Sequence, residues 1–313
     1  MKDPKVEKCW EVVKDLAIKE SEKGALSEEE KFIQIENLQY ILDTTGDASS
    51  ASWIGGIYYE HKRYDLALKY YEQAEILGDN WVSLGLGYIW YYGRTGKVDY
   101  EKAFHYFSKT LKLEKTGDKE RDLNISLWKQ EAKFKIADMY KNGYYVNKDY
   151  DRYVCLIEDL YEDVKNDRWY SARPEVCVRL AAIRDKQGRI NEACDLYLTA
   201  KDDLAERLSH MRFFGDLNRM NWLVNDLYKL IDFDTTEMDL YDLFYLLQEE
   251  HTVRFDYDDE IHTVESKKTE DGMIIRYDET WYKDINDFFL KATLGEGSIE
   301  NGYYEIENME VIA

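Results

Sequence analysis

Apolar side chains recur every three or four residues through most of the chain, which is the spacing of one face of an α-helix. An early example begins at Ser27 and Glu30, which have the spacing of an N-terminal capping box. The apolar stripe that follows consists of Phe32, Ile35, Leu38 and Leu42. Together with the preceding amphipathic segment and a break at Gly24, this stripe predicts an N-terminal helical hairpin over residues 1–45.

One phrase then repeats along the chain: an apolar residue beside a small one, a larger side chain on the same face, a short polar turn, and a second amphipathic helix. Its four copies begin with Ile54-Gly55 and Tyr58, Leu84-Gly85 and Tyr88, Ile136-Ala137 and Tyr140, and Leu180-Ala181 and Arg184. A Gly or Ala on the first helix lets the second helix of the pair approach closely. Because one hairpin cannot bury its apolar face alone, the pattern predicts stacked helix–turn–helix repeats, an α-solenoid.

Two of these copies resemble Sel-one-like repeats (SLR), which are relatives of the tetratricopeptide repeat. The matching stretches are LGLGYIWYYGRTGKVDYEKAFHYFSK, one residue short between its valine and Asp-Tyr, and ADMYKNGYYVNKDYDRY. The copies at 51–76 and 178–200 have shorter turns and look more like tetratricopeptide repeats. The resemblance covers about residues 46–210 and implies a repeat array, predicted here over 46–231, that acts as a protein-interaction adaptor.

The same resemblance indicates where a partner would bind. In such repeats the groove is lined by residues just beyond the aromatic residue on the first helix of each pair. In this sequence those positions are Tyr59, Glu60, Ile89, Trp90, Asp138, Lys141 and Asn142. Ordinary surface or packing between repeats explains these residues equally well, because the helix phase is fixed only to a residue or two.

The stretch GRTGK at 93–97 invites comparison with a phosphate-binding loop. Such a loop needs four residues between its glycines and a hydroxyl residue after the lysine. Only two residues separate Gly93 from Gly96, and Val98 stands where Ser or Thr is needed. The stretch is therefore predicted to be the turn between two helices, with Asp99 at the start of the second.

The pattern changes near Asp232. Short runs of β-branched and aromatic residues (TVRFDY, EIHTVES, GMIIRY, TWY) are separated by acidic turn sequences. They follow a predicted helix, MDLYDLFYLLQEE, and precede a second one, INDFFLKATL, and a final stretch, NGYYEIENMEVI. Residues 232–313 are therefore predicted to be a small α+β module with a three-stranded antiparallel sheet.

Charge changes at the same place. Residues 1–231 hold 41 acidic and 36 basic side chains, whereas residues 232–313 hold 23 acidic and 6 basic ones, a net charge of −17. An acidic surface repels nucleic acid and favours a basic partner, or simply keeps the protein in solution. No signal-peptide core or membrane-spanning apolar run occurs, and the four cysteines follow no zinc or disulfide spacing, so we expect a cytoplasmic protein.

Candidate chemistry is sparse. The five histidines have no metal-ligand spacing, and no nucleophile motif surrounds any serine or cysteine. The stretch FDYDDE has the acid density of a calcium loop but lacks its central glycine and twelfth-position glutamate, so a solvated β-turn is the better interpretation. The sequence therefore predicts no catalytic residues, no metal site and no cofactor.

Three classes of function stay open at this point. The first is a non-enzymatic scaffold that binds a protein or peptide on the concave face of the repeats, and the net negative charge would suit a basic partner. The alternative is an inhibitor- or immunity-type protein that neutralises a basic enzyme through its acidic C-terminal module. An enzyme is the third, and it rests only on the unrecognised module 232–313. The sequence indicates neither a membrane nor a nucleic-acid partner and leaves the oligomeric state open.

Overall fold

A computed structural model describes residues 3–23, 25–167, 172–210, 214–236, 238–270, 272–300 and 305–312. The predicted break at Gly24 lies outside these residues. The chain forms two compact units, Met1–Leu156 and Ile157–Ala313. The division falls within one helix, Tyr150–Val164. The predicted divisions at 45/46 and 231/232 stay predictions.

The first unit is built from helices alone in its described part. They are α1 (Pro4–Lys23), α2 (Glu28–Thr45), α3 (Ala48–Glu60), α4 (Tyr64–Ile76), α5 (Ser83–Tyr91), α6 (Tyr100–Leu111), α7 (Lys119–Asn142) and the start of α8 (Tyr150–Val164). From α1 to α7, each helix packs against the next. This succession of hairpins agrees with the periodicity of the sequence.

Helix α2 begins with the predicted capping box: the Ser27 hydroxyl accepts from the Glu30 backbone N–H, and the Glu30 carboxylate accepts from the Ser27 N–H. Its buried face differs from the predicted stripe. Leu38 and Leu42 are buried as predicted, but Phe32 is exposed and Gln34 is buried. The buried residues fall at Gln34, Leu38 and Ile41, and Phe32 lies two residues before that series, which places it on the opposite side of the helix.

Glycines bring the hairpins of the first unit together. The ring of Tyr71 on α4 lies between Gly55 and Gly85: a Cβ atom would lie 2.5 Å from Tyr71 Cδ1 at Gly55, and 2.7 Å from Tyr71 Cε2 at Gly85. Gly55 therefore admits the second helix of its own hairpin, as predicted. Gly85 instead faces the preceding hairpin, and Gly87 is the residue that admits α6, through the ring of Phe107. The prediction that Gly85 admits the second helix of its own hairpin was therefore wrong, because Gly85 lies on the side of α5 that faces α4.

The GRTGK stretch forms the turn between α5 and α6, as predicted. Gly93 and Gly96 have φ values of 60° and 93°, which favour glycine because a Cβ atom is strained there. Asp99 caps α6 by accepting a hydrogen bond from the Lys102 N–H at 3.0 Å. The turn is structural.

The second unit begins with helices and ends with strands. After the end of α8, its helices are α9 (Arg173–Lys186), α10 (Ile190–His210), α11 (Phe214–Leu227), a 3₁₀ turn (Leu240–Asp242), α12 (Leu243–Leu246) and α13 (Ile285–Lys291). The predicted helix MDLYDLFYLLQEE is thus reduced to a 3₁₀ turn and a single α-turn. On α11, Met220, Leu223 and Leu227 are fully buried as an apolar stripe.

A buried ion pair joins α10 to the 3₁₀ turn. Lys201 Nζ lies 2.6 Å from Asp242 Oδ1 and 2.8 Å from Asp239 Oδ2, and the side chain of Asp242 is 0% exposed. The Tyr228 hydroxyl donates to Asp242 at 2.7 Å. Asp242 also accepts from the Asp239 N–H at 2.8 Å. These contacts link residues on the two sides of the predicted 231/232 division.

The strands are β1 (Val253–Tyr257), β2 (Glu260–Thr269), β3 (Gly272–Tyr277), β4 (Thr280–Tyr282), β5 (Thr293–Leu294), β6 (Gly297–Ser298) and β7 (Glu307–Val311). Five of them form an antiparallel sheet in the order β4-β3-β2-β1-β7, and β5 and β6 form a separate two-stranded ribbon. The predicted sheet of three strands was too small. The final stretch supplies β7, which sequence periodicity alone did not identify as a strand.

The FDYDDE stretch closes β1 onto β2 with a two-residue turn. Asp258 and Asp259 both have positive φ values, 50° and 61°, as in the type I′ turn that matches the twist of a hairpin.

The predicted class, mainly α with helix–turn–helix hairpins and a small C-terminal α+β part, is confirmed.

Candidate protein-interaction site

The seven residues that the sequence marked as a binding groove occupy different environments. Ile89 is 0% exposed and belongs to the apolar core, so it lines no surface. Trp90 is half-buried and turns toward α6, where Lys102 Nζ lies 3.9 Å from its ring centroid. Lys141 and Asn142 are exposed at the end of α7. The Asn142 side chain donates to the Asp138 carbonyl at 2.8 Å.

Tyr59 and Asp138 lie beside one cluster of aromatic rings. Tyr59 packs its ring edge-on against Tyr64, with centroids 5.2 Å apart. Asp138 is close enough to Tyr91 to raise the pKa of its phenol, after the larger effect of burial. Glu60 follows Tyr59 and is exposed. The structure therefore brings Tyr59 and Asp138 to the same cluster and leaves Trp90 with α6.

We call this cluster the tyrosine face. It consists of two cations and five phenol side chains, Arg94, Lys135, Tyr59, Tyr64, Tyr88, Tyr91 and Tyr92. Four segments of the first unit supply them: α3, α4, α5 with its following turn, and α7. Tyr88 stacks on Tyr92 with centroids 5.9 Å apart, and Tyr91 meets Tyr92 edge-on at 5.0 Å. Tyr92 is 45% exposed, and Arg94 is exposed.

Both cations of the tyrosine face lie over its rings. The Arg94 guanidinium lies 4.9 Å from the Tyr92 centroid and 5.3 Å from that of Tyr64. Lys135 Nζ lies 5.2 Å from the Tyr92 centroid and donates a hydrogen bond to the Tyr92 hydroxyl oxygen at 2.7 Å. Each contact of this kind contributes about 0.5–1 kcal/mol at an exposed site. The contacts restrict the orientations of Tyr92 and Arg94.

Three phenols of this face, Tyr59, Tyr88 and Tyr91, have raised pKa values and are neutral hydrogen-bonding groups at neutral pH. Burial raises the pKa of Tyr88, and the Glu131 carboxylate adds to the rise by accepting the Tyr88 hydroxyl at 2.7 Å. Burial also raises the pKa of Tyr59, although the Arg94 guanidinium beside it opposes the rise. A phenol with a raised pKa is a poor general base, so these groups are suited to binding rather than proton transfer.

Sequence reasoning identified Tyr59 but missed most of the tyrosine face. Tyr88, Tyr91 and Tyr92 stand at i, i+3 and i+4, a spacing that places three phenols on one side of α5. That signal was available, but Tyr88 was interpreted only as a packing residue. Arg94 lies inside the GRTGK turn. The comparison of that turn with a phosphate loop considered its glycines and the residue after its lysine, and gave Arg94 no role. Lys135 could not have been assigned, because its place depends on how α7 packs.

The described residues offer little support for a metal site or a membrane-spanning helix. Across them, no three His, Cys, Asp or Glu side chains are grouped so as to hold a metal ion. No helix in the described ranges is both long enough and apolar enough to cross a bilayer. The four cysteines are free thiols, of which Cys155 alone is exposed.

Comparison with known proteins gives matches among solved structures only. No family model matches the chain, and no curated protein matches it. A crystal structure of a Sel1 repeat protein from Oxalobacter formigenes is similar over 72% of this chain and 82% of that one, at 16% identity and a TM-score of 0.48. The crystal structure of c5321, described as a protective antigen of uropathogenic Escherichia coli strains with an SLR fold, is similar over 72% of this chain at 15% identity and a TM-score of 0.44. This chain spans half the length of c5321.

The two stretches at 84–109 and 137–153 are those whose sequences resemble Sel-one-like repeats. In the present structure those stretches form the pairs α5–α6 and α7–α8, joined by glycine-containing turns. Close packing of Gly87 on the Phe107 ring shows the small-residue contact expected of such hairpins. Both stretches are helix–turn–helix hairpins, as their resemblance to Sel-one-like repeats implies.

Proposed function

We propose that this protein is a non-enzymatic scaffold that binds a protein or peptide partner on the tyrosine face. The observation that supports the proposal most directly is the pair of cations, Arg94 and Lys135, held over phenol rings that consecutive helices supply. Tyrosine and arginine are enriched among the residues that dominate binding energy at protein interfaces. A repeat array presents such residues from several helices at once.

The rigidity of this face favours binding over a purely structural role. Tyrosine has few rotatable bonds, so little conformational entropy is lost when a partner covers it. Contacts with Arg94 and Lys135 already orient Tyr92 before any partner arrives. Tyr92 and Arg94 also present much of their surface to solvent, where a partner can reach them.

A double substitution tests the proposal. Tyr92→Ala with Arg94→Ala removes a ring and the cation above it, both at the surface. Quantitative affinity purification from the native cell would identify partners of the wild type, and calorimetry would then measure each affinity. Truncation of a hot-spot residue costs about 2 kcal/mol or more of binding free energy, so Kd should rise by about thirtyfold or more.

The matched control is Tyr150→Ala with Arg152→Ala, which removes the same two side-chain types from exposed positions on α8. Both variants should keep the far-ultraviolet circular dichroism of the wild type. The proposal is wrong if the Tyr92/Arg94 variant is folded and binds every partner as tightly as the control does.

One observation favours the alternative, an inhibitor of a basic enzyme. A cleft of about 540 Å³ at the β1–β2 turn is lined by carboxylates of Asp256, Asp258, Asp259, Glu305 and Glu307. A basic protein bound there would dissociate as salt rises, because exposed charges are screened within about 10 Å at 0.1 M salt. Inhibition of a basic enzyme that does not change with salt would remove this alternative.

A cytoplasmic location is also proposed, because the four cysteines are free thiols, as is usual in a reducing compartment. Fractionation of the native cell, with antibody detection of the protein in each fraction, tests it.

A further inference from the structure

A groove in the second unit lies between the end of α8 and the helices α9 and α10. It encloses about 470 Å³ and is distinct from the tyrosine face, whose residues all belong to the first unit. We call it the acidic groove. Its lining residues are Glu158, Asp159, Tyr161, Glu162, Leu180, Arg184, Glu192, Asp195, Leu196 and Thr199.

The groove combines an apolar base with an acidic rim. Leu180 and Leu196 are almost completely buried and lie at its base, with the half-buried ring of Tyr161 beside them. Five of its ten lining residues carry carboxylates and one carries a cation. An apolar base attracts an apolar side chain, and the surplus of negative charge selects for cations on either side of it.

The single cation of the groove is already neutralised. Arg184 Nη1 lies 2.7 Å from Glu158 Oε1, and Arg184 Nε lies 3.7 Å from Glu192 Oε2. The Arg184 side chain is largely buried, so it holds the rim together rather than meeting an anion. Asp159 and Asp195 differ: both are exposed on the rim, and neither forms an ion pair with a residue that the structure describes.

We propose that the acidic groove binds a basic segment of a partner protein, in which an apolar side chain enters over Leu180 and Leu196 while lysine or arginine side chains pair with Asp159 and Asp195. Charge disfavours anionic occupants, because nucleic acid and anionic lipid headgroups would be repelled by this rim. A neutral small molecule would gain no attraction from the two exposed rim carboxylates.

The groove proposal is independent of the tyrosine face, because its test changes residues of the second unit only. The variant Asp159→Asn with Asp195→Asn removes two charges without altering side-chain size or the Arg184 contacts. Its matched control is Asp258→Asn with Asp259→Asn. That pair removes the same charge from the β1–β2 turn, where asparagine tolerates the positive φ of both positions.

Three fluorescein-labelled decapeptides serve as ligands for fluorescence anisotropy. One is composed of lysine, leucine and serine, the second has glutamate in place of lysine, and the third has serine in place of leucine. The lysine–leucine peptide should bind the wild type, and Asp159→Asn with Asp195→Asn should raise its Kd about tenfold, as expected for two partly exposed ion pairs. The control variant should change the Kd less than about twofold.

The variant Thr199→Lys provides a second route to the same result. A lysine there puts a competing cation inside the groove, so it should weaken the lysine–leucine peptide as well. The proposal is overturned if that peptide does not bind, if the glutamate or leucine-free peptide binds as tightly, or if the control weakens binding as much as the groove variant. The last result would assign binding to the general acidity of the C-terminal residues.

Discussion

Replacement of Gly55 by alanine tests whether the Tyr71 ring sets the spacing between hairpins of the first unit. In an exposed helix, glycine to alanine stabilises by about 0.5–1 kcal/mol, because alanine loses less conformational entropy on folding. At Gly55 the new Cβ atom would lie 2.5 Å from Tyr71 Cδ1, well inside contact distance. The ring cannot move away, because its other edge lies against Gly85.

The two effects have opposite signs, and overpacking is the larger. Inserting a methyl group into a closed contact typically costs about 1–3 kcal/mol. After the propensity gain is subtracted, Gly55→Ala should destabilise the protein by about 1–2 kcal/mol. Gly56 is the matched control, because a Cβ atom there would meet only the Tyr71 hydroxyl, at 4.0 Å. Gly56→Ala should stabilise by about 0.5–1 kcal/mol.

Urea unfolding followed by circular dichroism compares the two variants, and hydrogen exchange of the α3 and α4 amides localises the effect. In thermal unfolding followed by the same signal, the melting temperatures of the two variants should differ by about 5–10 °C for a unit of this size. In a Tyr71→Leu background the penalty of Gly55→Ala should largely disappear, because the ring that it meets is gone. If Gly55→Ala proves as stabilising as Gly56→Ala, the Tyr71 contact does not limit the approach of α3 and α4.

Three further expectations concern stability. Lys201→Met leaves the buried Asp242 carboxylate without its cation, so it should lower the free energy of unfolding in urea by about 3–5 kcal/mol. Lys229→Met, at an exposed ion pair, should change that free energy by less than about 0.5 kcal/mol. Equal effects of the two substitutions would contradict a stabilising buried pair. Because burial raises the folded-state pKa of Tyr88 and Tyr91 above the unfolded value, the folded state holds those protons more tightly. Stability should therefore fall as pH rises beyond about 10, with delayed phenol ionisation in ultraviolet titration; unchanged stability there would refute the assignment. A fragment of residues 1–231 should keep a helical circular dichroism spectrum and melt cooperatively. It should self-associate in light scattering, because the apolar stripe of α11 loses the residues that cover it. A non-cooperative melt would show that the C-terminal residues are an integral part of the helical fold.

Local features of the fold were predictable where a few neighbouring residues determine them. Ser27 with Glu30, Gly93 with Gly96, and the Asp258–Asp259 turn each fix a cap or a turn by short-range hydrogen bonds and backbone preference. The sequence therefore predicted the hairpins and the β1–β2 turn correctly.

Features that depend on packing between elements were less predictable. Phe32 fits the apolar period of α2, yet it is exposed, because α2 buries the opposite side, which includes Gln34. The β7 strand pairs with β1 across about fifty residues of chain, and no local signal encodes that pairing. At the candidate site, Tyr59 was found through its place in the repeat, whereas Lys135 reaches the rings only because of how α7 packs.

The position of Tyr71 between Gly55 and Gly85 bears on how such a protein can change its length over evolutionary time. The ring belongs to the α3–α4 hairpin, but one of the two glycines that it lies against, Gly85, belongs to the next hairpin. A duplication that copied α3 and α4 as one block would place Tyr71 against a new neighbour, which would need its own glycine at the matching position. Deletion of α5 and α6 would leave one edge of the Tyr71 ring without its packing partner. Exchange of repeats at this joint therefore requires two coordinated changes, and a recombination point in the middle of a hairpin would disturb less than one at its end.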